Sequence, residues 1–284
     1  MRIFRELLIV GFALSTWQLV AQDDLLDVLA EEQEPIDQTV TYLWKGQRLV
    51  NGHTTKTRKA GEFEFIIMHR FGELSTGIEN LFGLDYANIR FSFEYGITDR
   101  LTLGIGRSSY EKTYDGFFKY NFLQQGGNSP VALTWFSSIA TRSLDNPDFT
   151  ENDFKAKTAY THELLIGRKV SEKVSLLLIP AYVHRNRVMS EQVNDMLALG
   201  FGGRIRLNQR LSLISEYYWR ITNEDSQDYY DSFGVGLEIE TGGHVFQLTF
   251  SNSRSMIEKG FITETSGDFF DGDIHFGFNL SRTF

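Results

Sequence analysis

From Gly61 to the C-terminus, apolar and polar residues alternate with a period of two, in bursts separated by polar segments. Period two sends successive side chains to opposite faces of a strand. The bursts predict strands over 61–71, 87–96, 101–108, 114–122, 131–140, 158–169, 174–185, 196–206, 211–221, 230–240, 244–252 and 273–284. In the last, DIHFGFNLSRTF, Ile274, Phe276, Phe278, Leu280, Arg282 and Phe284 share one face. His275, Gly277, Asn279, Ser281 and Thr283 share the other. Soluble termini are commonly polar and frayed. This sequence stops in mid-strand on an aromatic residue.

Each segment is close to the ~9–11 residues that a tilted strand needs to cross a bilayer. The connections alternate between short (ITDR, LQQGGNSP, VSEK, LNQR, TGG) and mostly longer, polar ones (among them SSYEKTYDG, TRSLDNPDFTENDFKAK and SNSRSMIEKGFITETSGDFFDG). That alternation predicts an all-β fold, an antiparallel transmembrane β-barrel of about twelve strands with short periplasmic turns and longer extracellular loops. Apolar sets such as Ile89/Phe91/Phe93/Tyr95 and Phe246/Leu248/Phe250 would face lipid. The opposite faces carry charge and glycine, and closure of the sheet pairs every backbone group, as lipid requires. The segment 174–185 is ambiguous, because LLLIPAYV is apolar on both faces. In this reading the last strand closes the barrel against the first. Its outward Phe276, Phe278, Leu280 and Phe284 resemble the assembly signal read by the outer-membrane insertion machinery. The expected partners are therefore outer-membrane lipid and that machinery.

The N-terminus refines the picture. Arg2 and Arg5, the apolar stretch 7–20 and Leu19-Val20-Ala21 read as a cleaved signal peptide over 1–21, which predicts export to the outer membrane of a Gram-negative bacterium. Residues 22–60 differ in texture from the barrel region 61–284. They read as a periplasmic leader, with an extra hairpin or a plug as the alternative. The Asn51-Gly52 turn signal lies between short β-like runs there. The formal net charge of −9 argues against nucleic acid as a partner, since phosphates select basic surfaces. The chain has no Cys, which excludes disulfides and thiolate metal sites. With 24 Phe and 12 Tyr at a mean hydropathy of −0.24, the aromatics are more than a water-soluble core of this polarity would draw on.

Several long stretches resemble one family: MHRFGELSTG, ENLFGLDYANIRFSFEYGITDRLTLGIGRSSYEKTYDGFFKY, RKVSEKVSLLLIPAYVHRN and IETGGHVFQLTFSNSRSMIEKGFITETSGDFFDGDIHFGFNLSR. The family is the bacterial β-barrel family known as domain of unknown function 5777, and the likeness covers roughly residues 45–284. It implies a membrane barrel and brings no activity, cofactor or catalytic residue.

The candidate chemistry is lumenal. Glu64, Arg90, Glu94, Glu163, Arg204, Glu216 and Glu238 fall on inward parity. They would either line a water-filled path and set its ion preference or pair across the lumen and block it. Twelve strands lie between the eight that side chains fill and the sixteen or more that leave a channel. The expected function is a small passive pore, against a structural or partner-binding barrel with a closed lumen. A lipid-acting enzyme is the third reading. It would use Ser137 with His162 or His184, all outward, with a tight 170–173 turn setting His162 opposite Tyr182 and His184 opposite Tyr160. The His-x-Ser spacing of outer-membrane phospholipases is absent. An interfacial belt of Tyr, Trp and His accounts for the same residues, so no enzyme activity, cofactor or metal is expected. The acid clusters DNPDFTEND and TNEDSQDYYD lack EF-hand spacing and read as solvated loops.

Overall fold

A computed structural model describes residues 40, 43–147, 152–222 and 229–284. The expected signal peptide and the stretch 22–39 lie outside the described residues, as do 148–151 and 223–228 of the two acid clusters.

Twelve antiparallel strands close into one barrel, each paired with its sequence neighbours and β12 with β1. They are β1 (Phe63–Glu73), β2 (Ala87–Thr98), β3 (Leu101–Ser108), β4 (Thr113–Leu123), β5 (Ala132–Arg142), β6 (Thr158–Lys169), β7 (Val174–Arg185), β8 (Asp195–Arg206), β9 (Leu211–Arg220), β10 (Ser232–Thr241), β11 (His244–Ser251) and β12 (His275–Thr283). At one end lie the connections 99–100, 124–131, 170–173, 207–210 and 242–243; at the other lie 74–86, 109–112, 143–157, 186–194, 221–231 and 252–274. Gly242 and Gly243 form the two-residue turn with φ of 44° and 98°. Positive φ at both positions gives the twist that hairpin strands need, and glycine reaches it without a steric penalty.

Closure is made by the two ends of the sequence. Glu64 pairs with Thr283, Ile67 with Leu280 and His69 with Phe278. Phe63 and Phe284 exchange backbone hydrogen bonds of 3.3 and 2.8 Å, and their rings lie 6.1 Å apart. Burial alternates along most of β2, β7 and β9. The outer face exposes Phe91, Phe93, Tyr95, Leu103, Ile105, Leu197, Phe201 and Trp219. An apolar outside on a closed hydrogen-bonded sheet is the arrangement that lipid demands.

The inside is not uniformly polar. Leu177, Ile179, Ala181 and Val183 of β7 face inward and join Leu43, Trp44, Leu49, Val50, Phe136 and Leu165 in one buried cluster. This resolves the two-sided apolarity of 174–185: one face meets lipid and the other packs on chain folded into the barrel.

Candidate functional site

All seven lumenal candidates face inward and are buried, at 0 to 7% exposure. Arg204 Nε reaches Glu238 Oε1 at 2.7 Å, an ion pair inside the lumen. Arg90 holds Asp115 with two bonds of 3.1 and 2.5 Å. Asp115, absent from the candidates, lies on the inward parity of β4. Glu94 and Glu163 are fully buried, and neither carboxylate oxygen of either has a hydrogen-bond partner among the described residues.

The described part of the supposed leader occupies this space. Residues 47–54 form a hairpin in which Thr54 N–H donates to Gln47 O at 2.8 Å and Leu49 N–H to Gly52 O at 3.0 Å. Asn51-Gly52 is its turn. The N–H groups of Val50, Asn51 and Gly52 converge on the Glu216 carboxylate at 3.1, 2.8 and 3.0 Å. Hydrogen bonds to a charged group contribute roughly 1.5–3 kcal/mol each, so this cradle is the main polar anchor of the tip. Gln247 donates to Arg48 O at 3.0 Å and Asn279 to Val50 O at 2.9 Å. Lys119 Nζ reaches Thr54 O at 3.2 Å and also Gln47 Oε1. Nearer the short-turn end, Lys45 pairs with Glu240 at 2.5 Å and Arg58 Nε lies 3.5 Å from Glu64.

Inward glycines make room for the hairpin. A Cβ at Gly202 would stand 2.5 Å from Leu49, at Gly234 2.9 Å from Val50, and at Gly167 2.9 Å from Thr55. At these three positions the crowding comes from the inserted chain.

A second insert enters from the long-loop end. The β11–β12 connection carries a short helix, α1 (Glu258–Thr263), buried except at Lys259. Glu258 Oε1 lies 3.0 Å from Arg48 Nη1 and 3.6 Å from His53 Nε2. Phe261 packs edge-on against Tyr218, with centroids 5.0 Å apart. The two inserts thus meet inside the barrel. At the mouth, Lys259 binds Glu264 and lies 3.5 Å from Glu111, while Arg142 holds Glu111 at 2.9 Å.

These mouth groups make the second insert sensitive to acid. Burial alone would raise the Glu111 carboxyl; Lys259 and Arg142 outweigh it and hold the group below its ordinary value. Burial opposes the charged Lys259 too, and the Glu264 and Glu111 carboxylates outweigh it and raise the amine. A lowered carboxyl contributes stability above its ordinary value and loses it as pH falls through the lowered one. The raised lysine keeps its contribution until strong alkali. A spin label at exposed Ser266 (as Ser266→Cys) should be immobile at pH 7 and become mobile only as pH falls well below the ordinary Glu value of about 4.3. Glu111→Gln should abolish most of that pH dependence. A label equally mobile at pH 7 and in strong acid would contradict this account.

On the lipid face the register sets His162 opposite Tyr182, and Tyr160 opposite His184. Ser137 lies opposite His162, with Oγ 2.6 Å from Nδ1, and Trp135 Nε1 donates to the same Oγ at 3.0 Å. Asp195 is bound by His184 at 2.7 Å and by the Tyr182 hydroxyl at 2.5 Å rather than by His162. Phe276, Phe278 and Leu280 are half-buried on the outer face of β12, and His69 stacks on Phe278 at 4.5 Å.

A family model described as "Membrane bound beta barrel domain (DUF5777)" matches residues 44–284. No curated protein matches the chain. Among solved structures, the KdgM porin is similar at 9% identity and TM-score 0.48, covering 78% of this chain and 99% of its own. The COG4313 outer membrane channel from Pseudomonas putida F1 has 13% identity and TM-score 0.47, covering 89% and 100%. LpxR from Salmonella typhimurium has 11% identity and TM-score 0.37, covering 79% and 99%.

Proposed function

The chain belongs to the family of membrane-bound β-barrel domains of unknown function 5777, and from that premise we propose an outer-membrane pore kept closed by its own N-terminal hairpin. The long connections then lie outside the cell and the short turns in the periplasm, as is usual for such barrels. One observation carries the reading. Among the described residues, no backbone group of 43–58 bonds to the backbone of a barrel strand. Side chains hold the hairpin, so it can leave while every rung of the sheet stays intact. Part of the wall behind it is polar, and Glu94 and Glu163, without hydrogen-bond partners among the described residues, would be costly in a permanently dry interior.

The second reading, a barrel with a permanently closed lumen, draws on the apolar contacts of Leu43, Trp44, Leu49 and Val50 with the wall. The two separate in planar bilayers. Wild type should be mostly silent. Gly202→Leu/Gly234→Leu, which fills the seats of Leu49 and Val50, should give steady openings. If that variant folds as a heat-modifiable barrel yet stays silent, the closed-lumen reading stands. The Ser137–His162 contact fits the interfacial belt: each polar atom meets a neighbour's, and the rings of Trp135 and Tyr182 stack on His162 at 6.0 and 6.3 Å.

A further inference from the structure

The half of the lumen that holds the hairpin is unequal in charge. Toward the short-turn end and the middle, the wall presents Glu64, Glu94, Glu163, Glu216 and Glu238 against Lys119, Arg204 and Arg70, whose Nη2 donates to Asn51 Oδ1 at 2.6 Å. The chain inserted there has the opposite balance: residues 43–60 contain Lys45, Arg48, Lys56, Arg58 and Lys59, and no Asp or Glu. A protein of net charge −9 thus keeps a basic segment inside its own barrel. Arg58 answers Glu64 at 3.5 Å, and the tip amides answer Glu216. Two wall carboxylates are left over. Glu94 and Glu163, both at 0% exposure, point inward with neither oxygen hydrogen-bonded among the described residues.

We propose that this stretch is a binding path for oligocations, meaning flexible chains bearing several ammonium or guanidinium groups, and that the hairpin is its tethered stand-in. The proposal rests on the pore reading and names the solute class. Flexible cations spaced along a chain would meet the carboxylates in succession, as Arg58 and the tip amides now do, and would add partners for Glu94 and Glu163. In a lumen of low dielectric such pairing is far stronger than in water. A chain of weak, repeated sites also lets a solute leave as well as enter.

The test uses the full chain carrying Gly202→Leu/Gly234→Leu. In a tenfold KCl gradient its reversal potential should show K⁺ preferred over Cl⁻ several-fold, and spermine at micromolar concentration should block the current. Adding Glu94→Gln/Glu163→Gln should weaken the block about tenfold and reduce the preference. Conduction without cation preference, or spermine block unchanged by the two Gln substitutions, overturns the cation path and leaves the pore. Should the variant be silent, the pore reading fails, and calorimetry of spermine binding to the same protein in detergent decides the site. Binding weakened tenfold by the Gln pair supports it; no binding overturns it.

Discussion

Replacing Glu216 with alanine is expected to release the hairpin while leaving the barrel closed. The substitution strips one carboxylate from three buried N–H groups at once. A buried donor left without an acceptor costs about 1–3 kcal/mol. The three losses share one partner and will not add fully, so a net cost of roughly 3 kcal/mol or more is expected. At about 1.4 kcal/mol per factor of ten, seated hairpins should become some hundredfold rarer relative to displaced ones. Glu216→Gln keeps one acceptor oxygen but turns an NH₂ toward backbone N–H groups, so it should fall between. Hydrogen exchange reads this directly: amides of 47–54 should exchange much faster, while β9 and its neighbours remain protected. Single-channel open probability should rise in parallel. Unchanged exchange at the tip would mean that the apolar contacts of Leu49 and Val50 hold the hairpin unaided.

The barrel was legible because lipid constrains every residue of a spanning strand. The segments 101–108, 158–169 and 174–185 read from alternation coincide with β3, β6 and β7, and the tight 170–173 turn correctly set His162 against Tyr182. What fills the barrel was not legible to the same degree. Leu43, Trp44, Leu49 and Val50 follow no period, since they pack on four or more strands distant in sequence. Two signals were nevertheless present: the Asn51-Gly52 turn, and the apolar inward face of β7, which has no reason to exist in a water-filled lumen. Glu258 lay in what reads as a long, polar connection, and only the fold brings it to Arg48, 210 positions away. Asp115 was overlooked beside its partner Arg90, although the parity of β4 places it inside.

Deleting Phe284, or changing it to Asp, should lower outer-membrane levels far more than it lowers the stability of barrels already formed. Phe284 is 63% exposed at the short-turn rim. A charge near the interface costs a lipid-facing position only about 0–1 kcal/mol, whereas Arg or Lys at the midplane costs roughly 2–4, and Asp somewhat less. Leu248, midway along β11 and paired with Phe278, is such a deep position. On lipid energetics alone, Leu248→Asp should therefore be the more damaging change. The opposite order is expected in cells, because Phe284 completes the apolar face that Phe276, Phe278 and Leu280 begin. It also supplies the backbone bonds to Phe63 that bring β12 against β1. In a purified system without insertion machinery, refolding into lipid vesicles should restore the lipid order, with Leu248→Asp the worse of the two. Measuring both variants in both settings separates the explanations. If Phe284→Asp reaches wild-type levels in cells, the terminal residue closes the sheet and carries no assembly signal. If it is equally crippled in vesicles, the defect lies in closure itself, and recognition need not be invoked.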